Sequence, residues 1–170
     1  MMKMRGDSRG FTLVEILIVV VIIGILAAIA VPKLTNASQI ARESSLKGDL
    51  RFLRTQISVY RANHHEISPG YPGGNVAQTP TQNAFSDQMT LYTDSSGYTS
   101  ATLNGPYIYG PYLPQVPPNP VNGLTTMKML APSDTLTPDN TTGWLYQPST
   151  GMIEPNIVGS DSEGHTYISY

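Results

Sequence analysis

The chain has 170 residues, a formal net charge of -2, 40% apolar and 13% charged residues, and no cysteine. That length suits one ordinary domain, or a small domain with an appendage. Without cysteine there is no disulfide framework, no cysteine zinc site and no thiol nucleophile, and the near-neutral balance argues against a dedicated nucleic-acid binder.

Composition is sorted along the chain. Residues 1–10 carry Lys3, Arg5 and Arg9 against Asp7. Phe11 to Pro32 then reads FTLVEILIVVVIIGILAAIAVP, with Glu15 as its only ionisable side chain. Residues 33–66 are charge-rich, with six Lys/Arg against Glu43, Asp49 and Glu66. From Ile67 onward Lys128 is the only Lys or Arg against seven acids, and 13 of the 14 prolines lie there. Four compositions in series predict a leader (1–10), a transmembrane helix (11–32), an amphipathic helix half (33–66) and a loop-rich head (67–170).

The apolar run of about 22 residues makes a helix of roughly 33 Å, enough to cross a hydrocarbon core of about 30 Å. Bases in front of it place the N-terminus in the cytoplasm and the head on the far side. A cleaved signal peptide is the competing reading, because Ala28-Ile29-Ala30 also fits a small-residue cleavage site. Three features favour a retained helix. Glu15 lies inside the run, where an acid costs on the order of 2.5–3.5 kcal/mol at mid-bilayer and gains a signal peptide nothing. The apolar stripe continues past Ala30 through Leu34, Ala37, Ile40 and Ala41. Leu46, Leu50, Leu53, Ile57 and Tyr60, spaced 4, 3, 4, 3, then share one helix face directed at a core. Pro32 lacks an N–H and crowds the preceding turn, so a kink or local melting is expected there. Gly24 and Ala28 form a small-xxx-small pair that lets helices approach closely.

Beyond the helix, residues 67–83 read as an irregular connection. Phe85, Met89 and Tyr92 predict a short amphipathic helix over 84–92, and Asp94-Ser95-Ser96-Gly97 a turn. The string GPYIYGPYLPQVPPNP from Gly105 reads as a packed surface loop. Trp144–Gln147 and Met152–Glu154, joined by Pro148-Ser149-Thr150-Gly151, predict a β-hairpin, with Thr166–Tyr170 as a further edge strand. The head is poor in large apolar residues, so it is expected to wrap the Leu46–Tyr60 stripe. His64-His65-Glu66 lacks the spacing of a zinc helix and reads as a solvated helix end; no nucleophile elbow or phosphate loop is found. The chain is therefore read as a non-enzyme. Asp161 and Glu163 are weak candidates for a metal, two acids falling short of the six to eight oxygens calcium takes.

The residues Gly10-Phe11-Thr12-Leu13-Val14-Glu15, with the apolar run and Pro32, resemble the N-terminal segment of type IV prepilins and type II secretion pseudopilins. This resemblance implies an α+β pilin-like fold, a long N-terminal helix packed on a small antiparallel sheet. It also implies cleavage after Gly10 and N-methylation of Phe11 by a prepilin peptidase and methyltransferase. Assembly would follow through Phe11, Glu15, Gly24 and Pro32, in the inner membrane with a periplasmic head, before extraction into a filament. Implied partners are copies of itself, other pseudopilins and an inner-membrane assembly platform. No nucleic acid is among them. The resemblance brings calcium as a possible ligand in a C-terminal loop. Physically, a Phe11 amine freed by cleavage lies one helical turn from Glu15, and pairing across subunits relieves two charges at once.

Three functions stay open on the sequence: a pseudopilus subunit supporting export across the outer membrane, a type IV pilin for adhesion, motility or DNA uptake, and a secreted soluble binding module beginning at Val31.

Overall fold

The computed structural model describes residues 11–170. Gly10 and the basic leader, with the expected cleavage site, lie outside the described residues. The chain divides into two compact units, Met1–Ser38 and Gln39–Tyr170.

Helix α1, Leu13–Asn63, crosses that boundary. It opens on a capping box: the Glu15 amide donates to Thr12 Oγ1 and the Thr12 amide donates to Glu15 Oε2, both at 3.2 Å. Pro32 does not melt the helix, which stays α-helical through that position. One missing N–H removes one bond from a long ladder whose turns on either side remain closed. The helix ends at Asn63, where His65 and Glu66 adopt positive φ and the Glu66 amide returns to the Arg61 carbonyl at 2.9 Å. That left-handed exit satisfies a carbonyl the helix leaves open.

In the unit Gln39–Tyr170, Leu46, Leu50, Leu53, Ile57 and Tyr60 are buried and form one cluster with Phe85, Met89, Leu113, Trp144, Tyr146 and Ile153. Helix α2 runs Gln82–Thr90, two residues earlier than the pattern predicts, because Thr81 caps it by accepting from the Ala84 amide. Tyr92 leaves the helix for strand β1 (Tyr92–Thr93), which pairs antiparallel with β2 (Thr99–Ser100) across the Asp94–Gly97 turn. Gly97, at φ 91°, is required by crowding as well as conformation: a Cβ there would lie 2.8 Å from the Tyr60 hydroxyl.

Three strands, β3 (Met127–Met129), β4 (Trp144–Gln147) and β5 (Met152–Pro155), form the second sheet in that order. The β4–β5 hairpin pairs Trp144 with Pro155 and Gln147 with Met152. Its turn closes at Gly151, φ 75°. The sheet is mixed rather than wholly antiparallel, since β3 runs parallel to β4. A parallel neighbour needs a connection of about a dozen residues or more, which residues 130–143 provide. The proline-rich loop is packed by its carbonyls and aromatics: Trp144 Nε1 donates to the Pro117 carbonyl at 3.0 Å, and the Tyr112 and Leu113 amides both reach the Met89 carbonyl.

Thr166–Tyr170 is not an edge strand. Tyr167–Ser169 forms a 3₁₀ turn, and only the single bridge Ser160–Thr166 is β-like. Residues three apart eclipse in a 3₁₀ turn, which brings the Tyr167 and Tyr170 rings to 5.7 Å edge to face.

Candidate functional site

The N-terminal unit presents an apolar helix surface that no described residue covers. Leu13–Ala30 has a mean hydropathy of 3.2, is long and apolar enough to cross a membrane, and has no buried residue. Phe11 is 76% exposed, and Val14, Leu17, Val21 and Leu26 are likewise open. At about 25 cal/mol per Å² of apolar surface, such a face demands lipid or protein around it. Gly24 lies within this surface, with no atom within 4 Å of an added Cβ, so another helix can come close there. Glu15, besides holding the cap, takes the Thr12 hydroxyl at 3.2 Å. The T-x-x-E spacing of Thr12 to Glu15 carries that second role in the sequence.

In the second unit, the side of α1 turned away from the core holds a stripe that the charge count obscures. Ala41, Gly48, Phe52, Thr55 and Val59 fall on one face and all are exposed, Phe52 and Val59 by 43% each. The solvent side of a surface helix is ordinarily its charged side. Here the exposed cations Lys47 and Arg51 sit at its edge instead. Among the described residues Gly48 has no packing reason, because an added Cβ would meet nothing within 4 Å. A mid-helix glycine costs roughly 0.5–1 kcal/mol relative to alanine. The spacing of Gly48, Phe52 and Val59 is the sequence signal for this face.

His64 overturns the expectation of a solvated helix end, for it is only 1% exposed. It falls four residues after Tyr60 and so continues the buried stripe, stacking on the Tyr60 ring at 3.8 Å. Nδ1 donates to the Tyr60 carbonyl at 2.7 Å, and Nε2 accepts from the Thr93 hydroxyl at 3.0 Å. With both ring nitrogens engaged, it offers no ligand to a metal. Burial pushes the imidazole below its ordinary value, outweighing the Tyr60 carbonyl and Asp94, which favour the charged form; His65 adds to the depression. The unfolded chain therefore takes up this proton near pH 6.5, before the folded one does, so stability is full above about pH 6.5 and falls as pH drops below it. Melting temperature should fall from pH 7.5 to pH 5, and His64→Gln should flatten that slope; identical slopes in both proteins would refute the assignment.

The C-terminal loop holds the candidate metal residues. Asp161, Glu163 and His165 lie close enough to share an ion, with Asp161 buried and the other two exposed. The Asp161 carboxylate is nevertheless occupied: Oδ1 accepts from the Glu163 and His165 amides at 2.9 and 2.8 Å, and Oδ2 accepts from the Tyr170 hydroxyl at 2.7 Å. Lys47 Nζ stands 3.7 Å from the same Oδ2. The Tyr170 hydroxyl and these amides hold the Asp161 carboxyl well below the usual carboxylate range despite burial. Calcium needs six to eight oxygens with free lone pairs, and a ring of donors and an ammonium is the opposite environment. These residues do not fit calcium. Sequence reasoning missed Glu43, a buried carboxylate of α1, 5% exposed. Its Oε1 accepts from Gln39 Nε2 (2.9 Å), the Ser162 amide (3.0 Å) and the Tyr167 hydroxyl (3.1 Å), and Oε2 accepts from the Ser162 hydroxyl (2.6 Å). Burial alone would raise this carboxyl, but Ser162, Gln39 and Tyr167 together carry it below its ordinary value.

Comparison with known proteins assigns the first segment. Residues 5–31 match the family described as "Prokaryotic N-terminal methylation motif". Type II secretion system core protein G of Pseudomonas aeruginosa is 38% identical over 60 residues, covering 35% of this chain and 42% of that protein. Competence protein ComGC of Halalkalibacterium halodurans is 36% identical over 67 residues, 39% of this chain and 66% of that protein. Type IV major fimbrial protein FimA of Dichelobacter nodosus is 51% identical over 76 residues, 43% of this chain and 49% of that protein. The chain spans about half the length of the first curated relatives it matches, 42% of the Pseudomonas protein G and 56% of the protein G of Escherichia coli. No solved structure matches. The chain carries a prepilin-type N-terminal segment, and the relatives it resembles are all pilin-like.

Proposed function

We propose that this protein is a structural subunit that polymerises by N-terminal helix packing into a type II secretion pseudopilus and so supports export across the outer membrane. One observation carries the reading: Leu13–Ala30 is an apolar helix surface that no described residue buries, and it lies inside the segment, residues 5–31, that matches the N-terminal methylation motif. Before assembly the subunit is held in the inner membrane with its N-terminus cytoplasmic and its head periplasmic. Prepilin peptidase removes residues 1–10 and Phe11 is N-methylated. The assembly platform then stacks copies, with other pseudopilins, so that Phe11 and Glu15 set register and Gly24 and Pro32 lie within the helix contacts. The uncharged stripe of Gly48, Phe52, Thr55 and Val59 supports side-by-side packing beyond the membrane segment. The likeness to the type II secretion proteins G supports the secretion role.

A type IV pilin is the second reading, supported by the 51% identity with FimA. The exported binding module is disfavoured because cleavage after Ala30 would cut inside α1. Mass spectrometry of the mature N-terminus together with a deletion strain tests all three. The expected result is an N-methylated Phe11, with secretion lost and surface fibres kept. Loss of long surface fibres with secretion intact would favour the type IV pilin, and a mature chain starting at Val31 would end the filament reading altogether.

A further inference from the structure

We infer that the C-terminal segment, residues 159–170, is a metal-independent latch, closed onto α1 by the Glu43 carboxylate and not by calcium. Two carboxylates do the closing, and both oxygens of each accept from donors of this chain. Glu43 gathers the Ser162 amide and hydroxyl and the Tyr167 hydroxyl across more than a hundred residues of sequence. Asp161 gathers two amides of its own loop and the Tyr170 hydroxyl. Lys47 adds the positive charge that a metal would otherwise supply, 3.7 Å from Asp161 and 4.4 Å over the Tyr170 ring. Arg54 Nη1 fixes the backbone of the same turn by donating to the Tyr170 carbonyl at 2.8 Å.

A charged acceptor ringed by donors holds a loop as a cation ringed by acceptors does, with the signs reversed. The two solutions exclude one another here. A calcium ion on Asp161 Oδ2 would compete with the Tyr170 hydroxyl, one bridging both oxygens would compete with the two amides as well, and either would sit beside an ammonium. Glu163 and His165, the other members of the cluster, are exposed, and His165 Nδ1 stands 3.5 Å from Asp161 Oδ2 and 3.6 Å from Glu163 Oε2, a further donor to the same carboxylates when protonated.

The experiment uses the full chain in detergent micelles. Millimolar calcium and a calcium chelator should give the same melting temperature, and terbium should give no luminescence sensitised by Tyr167 or Tyr170 above that of Asp161→Asn. Glu43→Ala should lower the melting temperature by about 4–8 °C with or without calcium. It should also speed cleavage after Glu163 by a glutamate-specific protease roughly tenfold, since the opened loop is cut from its locally unfolded state. Should Glu43→Ala fail to fold, Tyr170→Phe removes one latch bond and should show the same protease effect in smaller measure. A calcium-dependent rise in melting temperature, terbium luminescence abolished by Asp161→Asn, or unchanged cleavage in both variants would each overturn the inference.

Discussion

Glu15→Val should insert in the membrane and be processed after Gly10 as the parent is, yet give filament yields lower by an order of magnitude or more. The carboxylate has two partners to lose. Inside its own chain it closes the capping box with Thr12, and losing a cap costs about 0.5–2 kcal/mol, which frays the first turn of a 51-residue helix and leaves the rest intact. Between chains, under the proposed packing, it meets the amine of a neighbour's Phe11. Breaking a buried pair by removing one member costs roughly 3–5 kcal/mol because the other charge is stranded. The second loss recurs at every subunit added, so it dominates. Thr12→Val separates the two: it removes the hydroxyl half of the cap, keeps the charge, and should assemble nearly normally. Electron microscopy of sheared filaments with immunoblots of the membrane fraction reads both variants. Equal depletion of filaments in the two would assign Glu15 to helix capping alone.

How much of this was legible in the sequence depends on what each residue's polarity concealed. The β4–β5 hairpin announces itself because two β-prone runs flank a Pro-and-Gly turn, and the register follows from the turn length. The inward face of α1 is equally plain in its middle, where the residues are Leu, Ile and Tyr. Its true extent is longer. Glu43, Leu46, Leu50, Leu53, Ile57, Tyr60 and His64 are spaced 3, 4, 3, 4, 3, 4 and all are buried. An apolar criterion stops at Leu46 and Tyr60 and so drops the two polar members, one of which tethers the C-terminal loop and the other the β1 strand through Thr93. Periodicity was the better guide than side-chain type, since a polar residue in phase with a buried stripe is usually there to hydrogen-bond. Gln88 behaves likewise beside Phe85 and Met89 on α2, where its amide serves Gly70, Tyr71 and Gly97. Strand β3 lay beyond local reading, because three residues paired parallel across a long connection leave no turn signature.

A chain beginning at Ile67 is expected not to fold, whereas one beginning at Gln39 is expected to unfold cooperatively. The boundary between the compact units falls at Ser38 and Gln39, so residues 39–63 of α1 belong with the strands that cover them. Leu46, Leu50, Leu53, Ile57 and Tyr60 are each 2% exposed or less and share one cluster with Trp144, Tyr146 and Ile153. Burying each such side chain is worth roughly 1.5–3 kcal/mol. Removing five of them therefore takes away as much as the whole net stability of an ordinary domain, about 5–15 kcal/mol. The loss extends to polar groups as well: without α1, the Ser162 and Tyr167 donors lose Glu43, and Thr93 loses His64. Near-ultraviolet circular dichroism of the single Trp144 offers a direct readout, because its ring is fully buried and its Nε1 is fixed to the Pro117 carbonyl. The shorter chain should lack that signal and show no thermal transition. Leu53→Ala in the longer chain supplies the graded version, with an expected loss of about 2–5 kcal/mol and the Trp144 signal retained below the lowered midpoint. A native-like Trp144 spectrum from residues 67–170 alone would mean that the strands carry their own core and that α1 merely rests on them.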